Sequence, residues 1–444
     1  MESMKKRIVS ALMLIIMLIS VFSGNTFCLV ALADDAPQLK SESAILIESE
    51  TGRVIFEKDS DKVLYPASTT KIMTAILVLE NLNLDTVVVA SKRAVMSIPI
   101  GGSNMGLLEG EQLTVEQLLY GVLIQSANEA CNVLAEYMCG DVDEFIVMMN
   151  KKAAEIGMTN TKYLNTHGLH VPEHHSTARD LAILTRYAMG NKKFRDIVAT
   201  SEYVIEPTEK YPQQRRMYNT NYLISSKQNA SYYYSRAIGV KTGYTSQAGN
   251  CLVSAATHAG TEFIAVTLNA EPQPDAIYSF IDSKALLEYG FANYKRKVIV
   301  KPDVVVSEAK VGEAQGIDRV ALVAAKELSA VLPVDVDPGT LTPEIELAED
   351  IRAPIAQGDV LGFATYSYDG IVVGKVELVA NAEVRRDVFM FVMNRIFEFL
   401  AHPLVAIPLS IILILFTVLY IIRRMNRRRR RSYLRSQRYS AKNR

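Results

Sequence analysis

The sequence predicts an α+β or α/β protein whose larger domain combines an antiparallel sheet, flanking helices and a helical lobe. Strand-like runs stand at both ends of residues 40–295, and helical periodicity fills the middle of that range. Short β-rich runs separated by turn signals occupy residues 298–384, which predicts a small β-sandwich-like domain. An apolar run near the C-terminus predicts a transmembrane helix.

The elements of the larger domain follow one another with strands first and last. Two strand-like runs at 43–49 and 53–59 are joined by a turn, and a largely apolar helix follows and ends near Leu82. Thr114 and Gln117 are placed as a capping box at the start of a long helical pattern. Further helices are predicted over 142–157, 176–189 and 279–294, and further strands over 201–206, 236–245 and 250–270.

The first 33 residues have the pattern of a secretory signal peptide. A basic start, Lys5 to Arg7, precedes an apolar stretch over 8–22, and Ala31-Leu32-Ala33 offers an A-x-A cleavage site. We therefore expect residues 1–33 to be removed and the rest of the chain to be exported.

The C-terminal part of the chain has the pattern of a membrane anchor. Residues 404–422 are uncharged, and at ~1.5 Å per residue they just cross a hydrocarbon core of roughly 30 Å. Pro408 is expected to disturb this helix, and a buried core helix is the alternative. Residues 385–403 read as an amphipathic juxtamembrane segment. The tail, 423–444, holds ten Arg and one Lys without an acidic residue, which predicts a cytoplasmic location.

The formal net charge of zero hides an uneven distribution of charge. Once the N-terminal 33 residues, at +2, and the last 22 residues, at +11, are set aside, residues 34–422 carry about −13. Nothing in so acidic a body indicates a nucleic-acid surface. Of the four cysteines, three remain after the signal peptide and none forms a CxxC pair, so neither a disulfide framework nor a zinc site is indicated.

Ser68 and Lys71 form one of three S-x-x-K patterns, and only this copy follows Pro-Ala and precedes an apolar helix. In a helix, positions i and i+3 share a face, so the two side chains can meet. If water is excluded around Lys71, desolvation lowers its pKa and lets it act as a base on the serine hydroxyl. The alternative is a capping serine beside a lysine whose ammonium reaches solvent.

Two further tripeptides carry side chains that suit peptide chemistry. Ser126-Ala127-Asn128 lies in an apolar helical context, where Ser and Asn are poor choices unless their side chains have partners. Lys241-Thr242-Gly243 ends a strand-like run, and its ammonium and hydroxyl suit a carboxylate, while Gly243 allows close approach of a substrate backbone. The edge of that strand can pair with a peptide. Each tripeptide alone is common on ordinary surfaces, but the three patterns in this order form a specific signature.

The signature and its surroundings closely resemble one family, the low-molecular-mass penicillin-binding proteins, or serine-type D-alanyl-D-alanine carboxypeptidases of peptidase family S11. The resemblance covers roughly residues 40–383, and it is carried by YPASTTKIMTA, GEQLTVEQLLYGVLIQSANEACNVLAE, NTHGLH, HHSTARDLA and IGVKTGYTSQAGNCLVSAA. It implies a β-lactamase/transpeptidase-like catalytic domain over 40–295. It also implies removal of the terminal D-alanine from peptidoglycan stem peptides, covalent inhibition by β-lactam antibiotics, and no cofactor or metal.

The resemblance assigns the acylation chemistry to two of the motifs. Ser68 would be the nucleophile that forms the acyl-enzyme, and Lys71 would be the base in that step. Ser126 would pass a proton toward the leaving amine, and Asn128 would position Lys71 and the substrate carbonyl.

The third motif would bind the substrate. Lys241 and Thr242 would hold the terminal D-alanine carboxylate beside Gly243, and the backbone N–H groups of Ser68 and Tyr244 would form an oxyanion hole. The resemblance places the catalytic domain outside the bacterial cytoplasmic membrane. Many relatives attach by a surface amphipathic helix, whereas this chain has a full span and an Arg-rich tail, so the mode of attachment departs from the family pattern.

Three alternatives compete with this interpretation. A β-lactamase would need a glutamate between the second and third motifs, and Glu173 lies there, but in a stretch, LHVPEHHST, that matches the carboxypeptidase pattern. A non-catalytic wall-binding relative would not need a buried base beside a serine. A metallopeptidase would use a histidine cluster that lacks HExxH and is interrupted by Val-Pro, namely His167, His170, His174 and His175.

Overall fold

The computed structural model describes residues 36–442, and for 429–442 only the backbone. The predicted signal peptide, 1–33, therefore lies outside the described residues. The chain divides into two compact units between Arg296 and Lys297.

The first unit contains a mixture of strands and helices. Its strands are β1 (Ser41–Glu48), β2 (Val54–Lys58), β3 (Val87–Val89), β4 (Gln112–Thr114), β5 (Glu202–Ile205), β6 (Arg215–Tyr218), β7 (Ala237–Thr245), β8 (Gly249–His258) and β9 (Thr261–Ala270). Its helices are α1 (Lys71–Asn81), α2 (Lys92–Met96), α3 (Val115–Leu123), α4 (Asn128–Cys139), α5 (Val142–Glu155), α6 (Ala178–Met189), α7 (Lys192–Val198) and α8 (Tyr278–Asn293).

The central sheet is antiparallel and has the strand order β2-β1-β9-β8-β7. The N-terminal hairpin thus pairs with the last strand of the unit, as the sequence predicts. One register row runs from Ile45 through Val266 and Val253 to Lys241, so the lysine ends a row of buried aliphatic residues. Strand β7 forms one edge of this sheet.

The two faces of the sheet are covered by different helices. Leu46 and Phe263 meet α8, where Gly290 leaves no room for a larger side chain. Ile45 and Ile47 alternate with Leu46 and belong to the core shared with the helical lobe, since successive strand residues point to opposite faces.

A capping box at Thr114 and Gln117 fixes the start of helix α3. Thr114 accepts the N–H of Gln117, and the Gln117 side chain accepts the N–H of Thr114, so the predicted capping box is confirmed. The apolar face of this helix then packs among the core residues around α1 and α4.

The second unit is built mainly from strands. They are β10 (Tyr294–Val300), β11 (Val305–Lys310), β12 (Arg319–Ala324), β13 (Leu328–Pro333), β14 (Glu344–Leu347), β15 (Val360–Tyr368) and β16 (Ile371–Ala380). A five-stranded sheet has the order β11-β12-β16-β15-β14, and β10 pairs with β13. Val376, Leu378 and Ala380 alternate with exposed positions and fill a separate core, as expected for a strand with one buried face.

Two helices end the chain, α9 (Val388–Ala401) and α10 (Pro403–Lys442). Residues Pro403–Arg428 are long and apolar enough to cross a membrane, and their most apolar stretch of 18 residues has a mean hydropathy of 2.8 and is not buried. The expectation that Pro408 disturbs this helix is wrong, because α10 continues through it. Pro403 takes the first helical position, where a missing N–H costs nothing, and Pro408 removes a single bond close to the helix start.

Candidate active site

A one-turn 3-10 helix, Ala67–Thr70, carries Ser68 into the start of α1. The spacing of three residues brings Lys71 Nζ to 2.8 Å from Ser68 Oγ, as the sequence predicts. Lys71 has no exposed surface, so it is not a lysine whose ammonium reaches solvent. Burial lowers the pKa of Lys71 to about 8.

Two further contacts of the Lys71 amine orient its N–H groups and its lone pair relative to Ser68. Its Nζ lies 2.6 Å from Asn128 Oδ1 and 2.8 Å from the backbone carbonyl oxygen of His167. Both of these oxygens can only accept hydrogen bonds. A neutral amine has two N–H donors and one lone pair, so when the donors go to these acceptors the lone pair remains for the Ser68 hydroxyl.

The second motif lies at a break between helices. The expectation of an uninterrupted helical context is wrong, because α3 ends at Leu123 and α4 begins at Asn128. Ser126 lies in the break with φ +64°. This left-handed backbone conformation is energetically unfavourable for residues other than glycine. Within residues 36–442 its hydroxyl has no hydrogen-bond partner, and the side chain reaches the surface only slightly. The break frees this hydroxyl from the helix and places Asn128 at a helix start.

A loop beside the second motif is fixed by Glu129, a residue that the sequence analysis missed. One Glu129 oxygen accepts the backbone N–H groups of Met105 and Gly106 at 2.7 and 3.1 Å, and the Asn128 N–H donates to the Ser103 carbonyl oxygen at 2.9 Å. Burial raises the pKa of Glu129 although these donors favour the carboxylate. The acidic residue directly after Asn128, in an otherwise apolar stretch, was the available signal.

The third motif lies on the edge strand β7 and passes close to Ser68. A Cβ at Gly243 would stand 3.1 Å from the Ser68 backbone nitrogen, so a glycine is needed here for the strand to approach. Lys241 is buried, and this burial lowers its pKa well below the ordinary value, with the nearby Lys71 charge acting in the same direction. Tyr244 is exposed at the end of the motif.

Thr220 extends the third motif, and no sequence pattern pointed to it. Its hydroxyl lies 2.5 Å from the Thr242 hydroxyl, and its backbone N–H donates to the Ile124 carbonyl oxygen at 3.0 Å. Thr220 therefore connects the break that holds Ser126 with the strand that holds Lys241.

The histidine loop packs against Ala67 and Thr70, the residues on either side of Ser68-Thr69. The His174 ring accepts the Leu164 N–H at Nδ1, 3.1 Å, so Nε2 carries the proton and donates to the Thr70 hydroxyl at 2.9 Å. Burial lowers the pKa of His174 to about 4 and that of His167 to about 3, so both rings are neutral. Among the described residues no group of His, Cys, Asp and Glu side chains is arranged to hold a metal ion.

Gly168 in this loop has a steric reason to be glycine. Its φ is +85°, and a Cβ there would lie 1.8 Å from the Ala67 carbonyl oxygen. The loop therefore presses directly on the turn that presents Ser68. Glu173, the glutamate of the β-lactamase alternative, has a largely exposed side chain paired with Lys162.

Comparison with known proteins identifies the family of this site. The model of peptidase family S11, D-alanyl-D-alanine carboxypeptidase, matches residues 30–272, more than half of the chain. The chain belongs to this family. The C-terminal domain of penicillin-binding protein 5 matches residues 294–386. The family predicted from the three motifs is thus confirmed.

Individual S11 relatives span most of the chain. D-alanyl-D-alanine carboxypeptidase DacF of Bacillus subtilis is 31% identical over 399 residues, which cover 88% of this chain and 97% of the relative. DacC of Escherichia coli, with the same enzyme name, is 32% identical over 376 residues and covers 82% of this chain and 88% of the relative.

Solved structures confirm the predicted fold. Penicillin-binding protein 5 of Haemophilus influenzae is 27% identical, with a TM-score of 0.62, and the match covers 80% of this chain and all of that structure. PBP3 of Streptococcus pneumoniae, a peptidoglycan synthesis regulatory factor, is 25% identical with a TM-score of 0.67, covering 79% of this chain and 100% of the other. The S11 chain described here thus combines a β-lactamase/transpeptidase-like domain with a C-terminal β domain.

Proposed function

We propose that this S11 chain is a serine D-alanyl-D-alanine carboxypeptidase that removes the terminal D-alanine from peptidoglycan stem peptides through an acyl-enzyme on Ser68. The observation that carries the proposal is the set of contacts around Lys71. Two oxygens that can only accept take two of its N–H groups, so in the neutral form of Lys71 the lone pair would face the Ser68 hydroxyl.

Acylation follows from this geometry. Neutral Lys71 takes the proton of Ser68 as Oγ attacks the carbonyl carbon of the penultimate D-alanine. The C–N bond then breaks, the serine ester remains, and the leaving amine takes a proton from Lys71 through the hydroxyl of Ser126. The unpartnered Ser126 hydroxyl supports its role in this relay, because a free hydroxyl can accept one proton while it donates another.

The substrate carboxylate would bind between Lys241 and Thr242. A buried lysine with a lowered pKa gains its proton most easily when an anion is brought beside it, so binding of the carboxylate would restore the ammonium form. The Thr220 hydroxyl lies 2.5 Å from the Thr242 hydroxyl and would orient it for the anion.

Negative charge on the carbonyl oxygen would be stabilised by the backbone N–H groups of Ser68 and Tyr244. The close approach of Gly243 to the Ser68 nitrogen supports this, because the Tyr244 N–H belongs to the peptide group that follows Gly243 on the same strand. A donor of this kind typically lowers the activation barrier by about 3 kcal/mol. Hydrolysis of the ester by water would then release the shortened stem peptide.

The enzyme would be attached to the bacterial cytoplasmic membrane, with both folded units on the outer side of that membrane. The signal-peptide pattern of residues 1–33, the apolar helix Pro403–Arg428 and the Arg-rich end support this topology. The substrate lies on the outer side of that membrane, so an exported, tethered enzyme would meet it there. Along the chain, the β-rich unit follows the catalytic domain and precedes the apolar helix.

The test combines covalent labelling with product release. Detergent-solubilised full-length protein is incubated with benzylpenicillin, and the adduct is located by mass spectrometry and peptide mapping, while D-alanine release from a diacyl-peptide ending in D-Ala-D-Ala is assayed in parallel. We expect a stable adduct on Ser68 and D-alanine release, both lost in Ser68→Ala. An adduct that disappears rapidly without peptide turnover would indicate a β-lactamase, and absence of both would indicate a binding protein.

A further inference from the structure

The Lys71 amine meets two acceptor oxygens that belong to different parts of the chain. Asn128 begins helix α4, whereas His167 lies in the loop between α5 and α6. A shift of one oxygen relative to the other would turn the amine, because each N–H group points to its acceptor. The side chains that fix the distance between these two oxygens therefore also fix the direction of the Lys71 lone pair.

A hydrogen bond between Thr166 and Asn132 joins the two segments. Thr166 directly precedes His167, and its hydroxyl donates to Asn132 Oδ1 at 2.5 Å. Asn132 lies four residues after Asn128, so the two asparagines share one face of α4. Thr166 has no exposed surface and Asn132 is 5% exposed, so water does not readily replace this bond if it is lost.

The helix that carries Lys71 holds the same residue from another side. Thr74 lies three residues after Lys71 on α1, and its hydroxyl donates to the Thr166 carbonyl oxygen at 2.6 Å. Thr74 is also fully buried. Thr166 is thus bonded to the helix of Lys71 through its carbonyl oxygen and to the helix of Asn128 through its hydroxyl.

Stability alone does not explain a polar pair at this place. The Asn132 amide is used at both ends, since its Nδ2 donates to Ser97 Oγ at 2.9 Å. An apolar pair of the same shape as Thr166 and Asn132 would leave the stability nearly unchanged. A buried hydrogen bond differs from apolar contact because it sets one distance and one direction.

We propose that Thr166 and Asn132 are positioning residues for acylation, and that their hydrogen bond sets the distance between the two oxygens that orient the Lys71 amine. The inference rests on the proposed function, because it concerns the base of that reaction. Among the described residues, neither side chain is hydrogen-bonded to Lys71 or Ser68. Both act through the two acceptor oxygens, and they keep the lone pair of the neutral amine directed at the serine hydroxyl.

The test is the limiting rate of acylation of the detergent-solubilised full-length enzyme by benzylpenicillin, measured by stopped flow between pH 6 and pH 10. Thr166→Val removes the hydroxyl and keeps the shape of the side chain. We expect its plateau rate at high pH to fall at least about tenfold, because a misplaced base reacts slowly. Thr166→Ser, which keeps the hydroxyl, should stay within about threefold of the unaltered enzyme.

The midpoint of the pH profile gives a second readout, which a merely structural role would not move. A carbonyl oxygen favours the ammonium form of Lys71 over the neutral amine. When the loop shifts, this preference weakens, so the Lys71 pKa should fall below its value of about 8 and the midpoint should move to lower pH.

The titratable groups around Lys71 are the same in all of these variants. They are the Cys131 thiol and the Glu129 carboxyl on α4, Lys241 on β7, and the His167 ring in the loop. A shifted midpoint therefore reports the contact between the amine and the loop carbonyl group, not the loss of a charge.

Two other variants serve as controls. Thr185→Val is matched to Thr166→Val, because Thr185 is fully buried and its hydroxyl donates to the Leu181 carbonyl oxygen within α6. It should acylate within about twofold of the unaltered enzyme. Asn132→Leu removes the proposed bond from its other end and takes the place of Thr166→Val if that variant does not fold. The double variant should be within about threefold of the slower single variant, because both changes remove one bond.

The outcomes separate this inference from the proposed function. Absence of acylation in the unaltered enzyme would refute the proposed function, and the inference with it. A native rate in Thr166→Val would overturn the inference alone. So would a smaller labelled fraction, determined by mass spectrometry, that still reacts at the native rate, because the hydroxyl would then only support the fold. A lowered plateau with an unmoved midpoint, or single losses that multiply in the double variant, would likewise overturn it.

Discussion

The rate of acylation should depend on pH through the proton on Lys71. With a pKa of about 8, the neutral fraction of Lys71 is ~9% at pH 7 and ~91% at pH 9. A solvent-exposed lysine, with a pKa of 10.5, would be neutral to only ~0.03% at pH 7. Burial thus increases the basic form roughly 300-fold at neutral pH. Because the neutral form accumulates as pH rises, acylation should rise about tenfold from pH 7 to pH 9 and then level off.

The assay is the limiting rate of acylation by benzylpenicillin, measured by stopped flow between pH 6 and pH 10. Saturating concentrations are needed because burial also lowers the pKa of Lys241, and weaker binding at high pH would otherwise enter the rate. Lys71→Arg is the control, since a guanidinium remains charged and has no lone pair for the serine. We expect this variant to fold and to lose acylation by at least about a thousandfold, at the upper part of the usual range for a base.

A rate that increases about a hundredfold between pH 7 and pH 9 and continues to rise would refute the reasoning. Lys71 would then have the pKa of an exposed lysine, and burial would not be the cause of its basicity. A flat profile would show that another group, or a step after proton transfer, limits acylation.

Three further substitutions test the surroundings of the site. Thr220→Val should raise KM for a D-Ala-D-Ala peptide about five- to tenfold in steady-state assays, for one lost hydrogen bond of about 1 kcal/mol, with kcat nearly unchanged. An unchanged KM would contradict the proposal that Thr220 orients the Thr242 hydroxyl for the substrate carboxylate. Gly168→Ala should abolish penicillin labelling and lower the melting temperature strongly, because its Cβ would lie 1.8 Å from the Ala67 carbonyl oxygen. Gly140→Ala is the control, since Gly140 also has a positive φ, +77°, but open space around it; this variant should lose about 1 kcal/mol of unfolding free energy and retain labelling. Glu129→Ala should lower the free energy of unfolding by about 2 kcal/mol in urea, and Glu129→Gln, which keeps an acceptor oxygen, by less than half of that; equal losses would show that the loop contacts are not the cause.

Much of the fold could be predicted from the sequence because it depends on local patterns. The capping box at Thr114 and Gln117 and the alternation along the strands use only neighbouring residues, so they are readable without the tertiary structure. The spacing of Ser68 and Lys71 is of the same kind, since one helical turn fixes their contact.

Other features were misjudged because tertiary contacts override local preference. Apolar periodicity continues through Ser126, but the chain leaves the helix there, and the loop held by Glu129 packs against the break. Pro408 differs for a local reason: it lies near the start of α10, where a single missing N–H costs little, so the helix continues through it.

The sequence by itself determined which residues are candidates for the chemistry and in which order they occur, because each motif is a short run with its own local geometry. Only the tertiary structure decided how they act together. The carbonyl oxygen of His167 and the hydroxyl of Thr220 reach Lys71 and Thr242 from segments distant in the chain, and neither contact leaves a pattern in the residues around it. Likewise, the pKa of Lys71 depends on burial from all sides, which no local sequence specifies.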